Sequence, residues 1–167
     1  MILIPEIPYD ENAVIAFLEK RRREGARYSI VAIAEGAVSV EESKLKRKEM
    51  AALRAARGEG TATERLARAI EEKTGVETRT QVIGYLQRGG SPNPYDRAIC
   101  TLMGGYAGEL AEKKKFGVTV AMAGGKVTYN SLADIAGKTK SVPPTHQMVK
   151  AAKAVGIGFG EPENKKE

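Results

Sequence analysis

The stretch that most restricts the fold is Thr78 to Asp96, TRTQVIGYLQRGGSPNPYD. Its first nine residues are rich in β-branched and aromatic side chains and predict a strand. Gly89-Gly90 follows, where the backbone can turn sharply or approach a ligand without a Cβ clash. Ser91 then serves as N-cap and Pro92 as first helical residue. Arg88 projects at this turn beside a helix N-terminus, whose N–H groups attract anions. A strand, a glycine turn and a helix in direct succession predict an α/β chain with a phosphate corner.

The flanking segments agree with that class. Ile2-Leu3-Ile4 reads as a strand cut off by Pro5 and Pro8, and a domain rarely opens on a buried strand without lead-in. Asp10 caps a helix that turns Ala13, Val14, Phe17 and Leu18 inward and ends at Gly25. Lys20 to Arg23 fill its last turn, complement the macrodipole and read as a solvated helix end. Ser29 to Ala34 is a small, apolar run suited to a strand covered on both faces, hence to a parallel sheet. Glu35 stands at its carboxyl end, where open α/β sheets bind ligands. It either accepts hydrogen bonds from a ligand's hydroxyls or serves as a cap or surface ion-pair partner.

Residues 41–74 are highly charged and predict two helices, 41–57 and 62–74, parted by Gly58 and Gly60. Thr61 and Glu64 form a capping box for the second, with Leu66 and Ile70 as its apolar stripe. The segment is assigned a structural or subunit-contact role without chemistry. On the predicted strand, Arg79 and Tyr85 share a face about 20 Å apart, too far for one small phosphate to meet both from a single chain.

The helix after Ser91 places Ala98, Ile99, Leu102, Met103, Tyr106 and Leu110 at helical spacing before Lys113-Lys114-Lys115. Gly104, Gly105 and Gly108 predict close packing against another backbone, and Cys100 reads as a small packing residue. Val118–Met122 and Val127–Tyr129 predict strands joined through a turn at Gly124-Gly125. Pro143-Pro144 end a basic linker, and Thr145 caps a last helix with Met148, Val149, Ala152 and Val155 inward, stopped by Gly156. His146, without a Cys, His or Asp partner nearby, reads as surface or packing, and the tail EPENKKE as mobile.

Composition narrows the function classes. With 42% hydrophobic and 29% charged residues in 167, the chain reads as a soluble globular protein with one core of ordinary size. No run approaches the ~20 apolar residues of a membrane span, and MILIPEIP lacks the pattern of a secretory signal. One cysteine excludes an internal disulfide framework and a cysteine zinc site, so a cytoplasmic location is the default. The net charge of +6 favours acidic partners such as sugar phosphates or nucleotides. Nucleic acid is disfavoured: bases and acids interleave except at Lys20 to Arg23, and aromatics are 5%.

GYLQRGGSPNPYDR resembles the sugar-phosphate signature of the 6-phosphofructokinase family, and IPEIPYD at 4–10, IVAIAEG at 30–36 and ETR at 77–79 fall in that family's order. The resemblance covers nearly the full chain. It implies a three-layer α/β fold with a mainly parallel sheet flanked by helices. Residues 1–167 would be the C-terminal part of the phosphofructokinase domain, with a helical insert at about 41–74 and a return segment to the nucleotide domain at about 88–130. The N-terminal, nucleotide-binding half would be absent.

The resemblance further implies that the complete enzyme phosphorylates fructose 6-phosphate at O1 in glycolysis, using ATP or pyrophosphate with Mg²⁺. Tyr85 and Arg88 would bind the substrate phosphate and Glu35 the sugar. Arg79 would act in trans, in a neighbouring subunit's site, so that function requires a homo-oligomer. The family's glycine-rich GGD and TxD loops have no counterpart here, nor does a GxxxxGK P-loop, so this half alone is expected to bind no Mg²⁺ and to be inactive. Tyr85 stands where the family often has histidine and stays neutral at pH 7. Glu24 and Ala26 stand where allosteric bacterial members have lysines, which argues against effector control of that type. The alternative reading is a non-catalytic sugar-phosphate-binding or regulatory module that pairs with a separate nucleotide-binding half. A fold fragment without a ligand is a third.

Overall fold

The computed structural model describes residues 1–56 and 60–162. The Gly58 break, the last residue of the predicted 41–57 helix and residues 163–167 of the tail lie outside the described residues. The chain forms two compact units, Met1–Gln81 with Ser141–Glu167, and Val82–Lys140.

In the first unit, β1 (Ile2–Leu3) pairs in parallel with β2 (Ala32–Ile33), and a parallel bridge joins Tyr9 to Ser39. Both strands are where the apolar runs predict them, but each is short. Pro5 removes the next ladder donor of β1, and the Ala32 N–H donates to the Met1 carbonyl at 3.0 Å. On the other flank of β1 the Ile2 N–H donates to the Gly158 carbonyl at 3.0 Å.

Helix α1 (Glu11–Arg23) starts where Asp10 accepts the Ala13 N–H at 2.9 Å, and its last turn carries Lys20 to Arg23 as expected. A single 3₁₀ turn (Glu42–Lys44) precedes α2 (Arg47–Ala56). Helix α3 (Ala62–Thr74) begins with the predicted capping box: Thr61 accepts the Glu64 N–H while Glu64 accepts the Thr61 N–H at 2.7 Å. Helix α3 packs on α1, and Lys73 closes that contact on Glu11 at 2.6 Å. The core holds Leu3, Tyr9, Val14, Ala37, Leu66 and Ile70, with Leu3 and Val14 wholly inaccessible. The insert thus belongs to this unit's core. Ile7, Val149 and Phe159 form a smaller cluster.

The C-terminal helix of this unit differs from expectation. His146 caps it instead of Thr145, its ring nitrogen accepting the Met148 N–H at 3.2 Å. In the sequence order used below it is α7 (Gln147–Ala154). Val149 is buried, whereas Met148 and Val155 are exposed. Met148 lies one residue, about 100°, off the inward face, and Val155 is already past the helix end.

The second unit contains α4 (Gly84–Arg88), α5 (Pro94–Glu112), an antiparallel hairpin of β3 (Val118–Ala123) and β4 (Lys126–Ser131), and α6 (Leu132–Ile135). The hairpin turns at Gly124-Gly125 as predicted, in register from Val118↔Ser131 to Ala123↔Lys126. Helix α5 lies on this hairpin, with Ile99, Met103 and Tyr106 half-buried and Leu110 buried. Leu102 is exposed, as is Cys100, which is therefore not the buried packing residue expected. A Cβ on Gly104, Gly105 or Gly108 would meet no atom within 4 Å, so among the described residues no backbone packs against them.

Candidate functional site

Residues 75–83 form no strand, and residues 84–88 turn into a short helix instead. β-Branched residues favour a strand only where a neighbour supplies a ladder and a packing face. Among the described residues none does, and Val82 is exposed. Local bonds take over: the Thr78 N–H donates to Glu71 Oε1 at 2.6 Å and the Thr78 hydroxyl to the Val76 carbonyl at 3.1 Å. With the strand goes the 20 Å separation of Arg79 and Tyr85 that rested on it.

The helical turn has its own consequence. Tyr85 and Arg88 are three residues apart on α4 and therefore share one face. Tyr85 is 94% exposed, and the exposed Arg88 forms no salt bridge among the described residues. A phenol and a guanidinium side by side, neither engaged, supply donors suited to a phosphate. Gly89 caps α4 in an extended conformation and Gly90 adopts φ +100°, a value that favours glycine.

The helix N-terminus predicted beside them is two residues farther on and is closed. Asn93, not Ser91, caps α5, with Pro94 as first helical residue. The Asn93 side chain accepts the Asp96 N–H at 2.9 Å and Asp96 accepts the Asn93 N–H at 3.0 Å. A carboxylate thus already sits where an anion would have bound. Tyr85 and Arg88, not this helix N-terminus, are thus the unengaged donors of the segment.

Glu35 lies in the first unit, in the exposed turn directly after β2, at the carboxyl end of the parallel pair. The turn is fixed on both sides. Ala34 N–H donates to Leu3 O, and Ala37 N–H to Ala34 O, each at 2.9 Å. A Cβ on Gly36 would stand 3.1 Å from Pro5, so IPEIP backs the turn. Arg79, on the irregular segment after α3, donates from Nε to Glu77 at 2.9 Å, an exposed pair of small energetic value. Glu35 and Arg79 stand on separate segments of this unit. Tyr85 and Arg88 are the two predicted residues brought onto one element.

The most enclosed polar centre among the described residues is one that sequence reasoning missed. Glu42, 6% exposed, accepts Arg54 Nε at 2.7 Å, Arg65 at 3.1 Å and the Ser39 N–H at 3.0 Å through its carboxylate. The Glu42 N–H donates in return to the Ser39 hydroxyl at 3.1 Å. Burial alone would raise the Glu42 carboxyl, but the Arg54 and Ser39 hydrogen bonds and both arginine charges outweigh it and hold it below the ordinary range. Burial pushes the neighbouring Tyr9 hydroxyl up. Two shallow cavities of about 190 and 240 Å³ adjoin this centre, both lined by Tyr9, Glu11, Ser39 and Lys73. The signal in the sequence was the Ser39-x-x-Glu42 spacing, a capping-box pattern hidden in a segment full of glutamates.

Among the described residues no three His, Cys, Asp or Glu side chains converge to seat a metal ion. No helix among them is long and apolar enough to cross a membrane.

Comparison with known proteins gives a consistent result. The family model described as Phosphofructokinase matches residues 1–111. The chain is 44% identical over 161 residues to an ATP-dependent 6-phosphofructokinase of Spirochaeta thermophila, covering 96% of this chain and 44% of that protein. It is 39% identical to ATP-dependent 6-phosphofructokinase 3 of Bacteroides thetaiotaomicron, covering 96% and 43%. It thus spans less than half the length of these relatives. Among solved structures, a pyrophosphate-dependent phosphofructokinase from Nitrosospira multiformis superposes with a TM-score of 0.59 at 23% identity, over 85% of this chain and 34% of that one. A phosphofructokinase from Saccharomyces cerevisiae gives a TM-score of 0.53 at 21% identity, over 80% and 16%. The α/β class expected from the sequence is that of these folds, present here in part. By the match over residues 1–111, this chain belongs to the phosphofructokinase family.

Proposed function

We propose that this chain is the fructose 6-phosphate-binding, C-terminal part of a 6-phosphofructokinase. The single observation that carries the reading is the pairing of an unengaged phenol and guanidinium, Tyr85 and Arg88, on one turn of α4 inside the QRGGSP signature. In the proposed role, Arg88 holds the 6-phosphate through charge-assisted hydrogen bonds and Tyr85 adds a neutral one. Glu35 accepts hydrogen bonds from the sugar hydroxyls, and Arg79 serves the phosphate in another subunit of a homo-oligomer.

In the complete enzyme, the sugar's O1 would attack the terminal phosphoryl group of ATP or pyrophosphate, and Mg²⁺ would neutralise charge on the donor phosphates. The product is fructose 1,6-bisphosphate. The names of the curated relatives favour ATP as donor. Donor binding, metal binding and activation of O1 would belong to the family's nucleotide-binding half, so residues 1–167 by themselves would bind the sugar phosphate without turnover.

Calorimetry tests this with fructose 6-phosphate on the wild type and Arg88→Ala. Loss of one charged phosphate contact, about 1.5–3 kcal/mol, weakens binding by roughly 10- to 100-fold. Equal binding by both proteins would count against the reading. Conversion of fructose 6-phosphate by the chain with ATP and Mg²⁺ would refute its inactivity.

A further inference from the structure

We propose that Glu42 is a positioning residue for Glu35: it locks the helical insert to the segment that carries the sugar-binding carboxylate. The inference rests on the reading of Glu35 just given. Every step from Glu35 to Glu42 is tied down. The Ala34 N–H donates to Leu3 and the Ala37 N–H back to Ala34, so Glu35 is at the tip of a closed turn. Ala37 is wholly buried in the cluster that contains Leu66 and Ile70 of α3. Val38 O and the Val40 N–H bond the two sides of Tyr9 at 3.1 and 2.9 Å. Ser39 then exchanges two hydrogen bonds with Glu42, N–H to carboxylate and N–H to hydroxyl.

What distinguishes Glu42 from an ordinary cap is its second set of partners. Arg54 comes from α2 and Arg65 from α3, and both donate to Oε1 while the Ser39 N–H donates to Oε2. One carboxylate therefore joins two insert helices to the backbone four residues beyond Glu35. Its removal leaves the guanidiniums of Arg54 and Arg65 without this buried counter-charge and frees the Ser39 end of the turn. An insert with no chemistry of its own then acts on the site by holding one carboxylate in register.

The test compares wild type, Glu42→Gln and Glu35→Ala, measuring calorimetric binding of fructose 6-phosphate and inorganic phosphate and amide exchange at Ala37, Ser39 and Val40. If Glu42 positions Glu35, Glu42→Gln loses about tenfold in affinity for fructose 6-phosphate, as Glu35→Ala does, and binds inorganic phosphate within about twofold of wild type. The three amides exchange at least about tenfold faster. Equal loss for both ligands marks a merely structural role and overturns the proposal, as does unchanged exchange. If wild type does not prefer fructose 6-phosphate to inorganic phosphate, the sugar-binding reading of Glu35 fails instead. The amides then decide alone whether Glu42 fixes the turn. Should Glu42→Gln not fold, Ser39→Ala, which removes the hydroxyl and spares both arginine pairs, takes its place with the same expected outcomes.

Discussion

Gly160→Ala should be among the most damaging conservative changes in the first unit, although residue 160 bears no side chain that contributes a contact. Its carbonyl accepts the Asp10 N–H at 2.7 Å, which fixes the backbone against the start of α1. Its φ is +70°, where an L-residue incurs roughly 1–2 kcal/mol of strain. A Cβ there would stand 2.8 Å from Tyr9 Cβ, 2.9 Å from Leu3 Cδ2 and 3.1 Å from Val14 Cγ2, all core residues. Overpacking of that kind costs about 1–3 kcal/mol, for a total of about 2–5 kcal/mol.

Gly156→Ala separates the two effects. Its φ is +81°, but a Cβ would meet nothing within 4 Å, so only the strain of about 1–2 kcal/mol applies. Urea unfolding followed by circular dichroism at 222 nm should therefore show Gly160→Ala about 1–3 kcal/mol less stable than Gly156→Ala, with similar m values. Equal costs would refute the claim that residue 160 is pressed into the core.

Leu66→Ala, at a position 3% exposed in the core cluster, should cost about 2–5 kcal/mol in the same unfolding experiment. For Glu42 the folded pKa lies below the unfolded value of about 4.3, so as pH falls the unfolded chain takes up the proton first. The stability due to this group is complete above about pH 4.3 and is lost as pH falls through the lower folded value, so acid titration should show a shallower decline for Glu42→Gln. Asn93→Ala should destabilise α5 by about 1 kcal/mol in thermal unfolding of the second unit. Ser91→Ala should stay within about 0.5 kcal/mol there, because that residue caps nothing in the structure.

What the sequence revealed was what a few adjacent residues decide. Asp10 and the Thr61–Glu64 pair fix helix starts through their own side chains, and Gly124-Gly125 fixes a hairpin; all three are as predicted. The 78–86 strand failed because a strand needs a partner, and composition cannot reveal whether one is present. The Ser91 cap failed for a different reason. Ser91-Pro92 and Asn93-Pro94 offer the same signal twice, and only the second has an acid three residues later to complete a box. Of the candidate site, Glu35 at a strand end and the nearness of Tyr85 to Arg88 were legible from position alone. Glu42 was not, since its arginines come from helices 12 and 23 residues away in sequence.

The bond from Ile2 to Gly158, with that from Asp10 to Gly160, ties together two segments far apart in sequence. Contacts of that kind form only after the long intervening loop has closed, so they reward folding late. Ile7 gains Val149 and Phe159 in the same step. The two segments should therefore open and close as one cooperative piece, and damage to either should be felt in both.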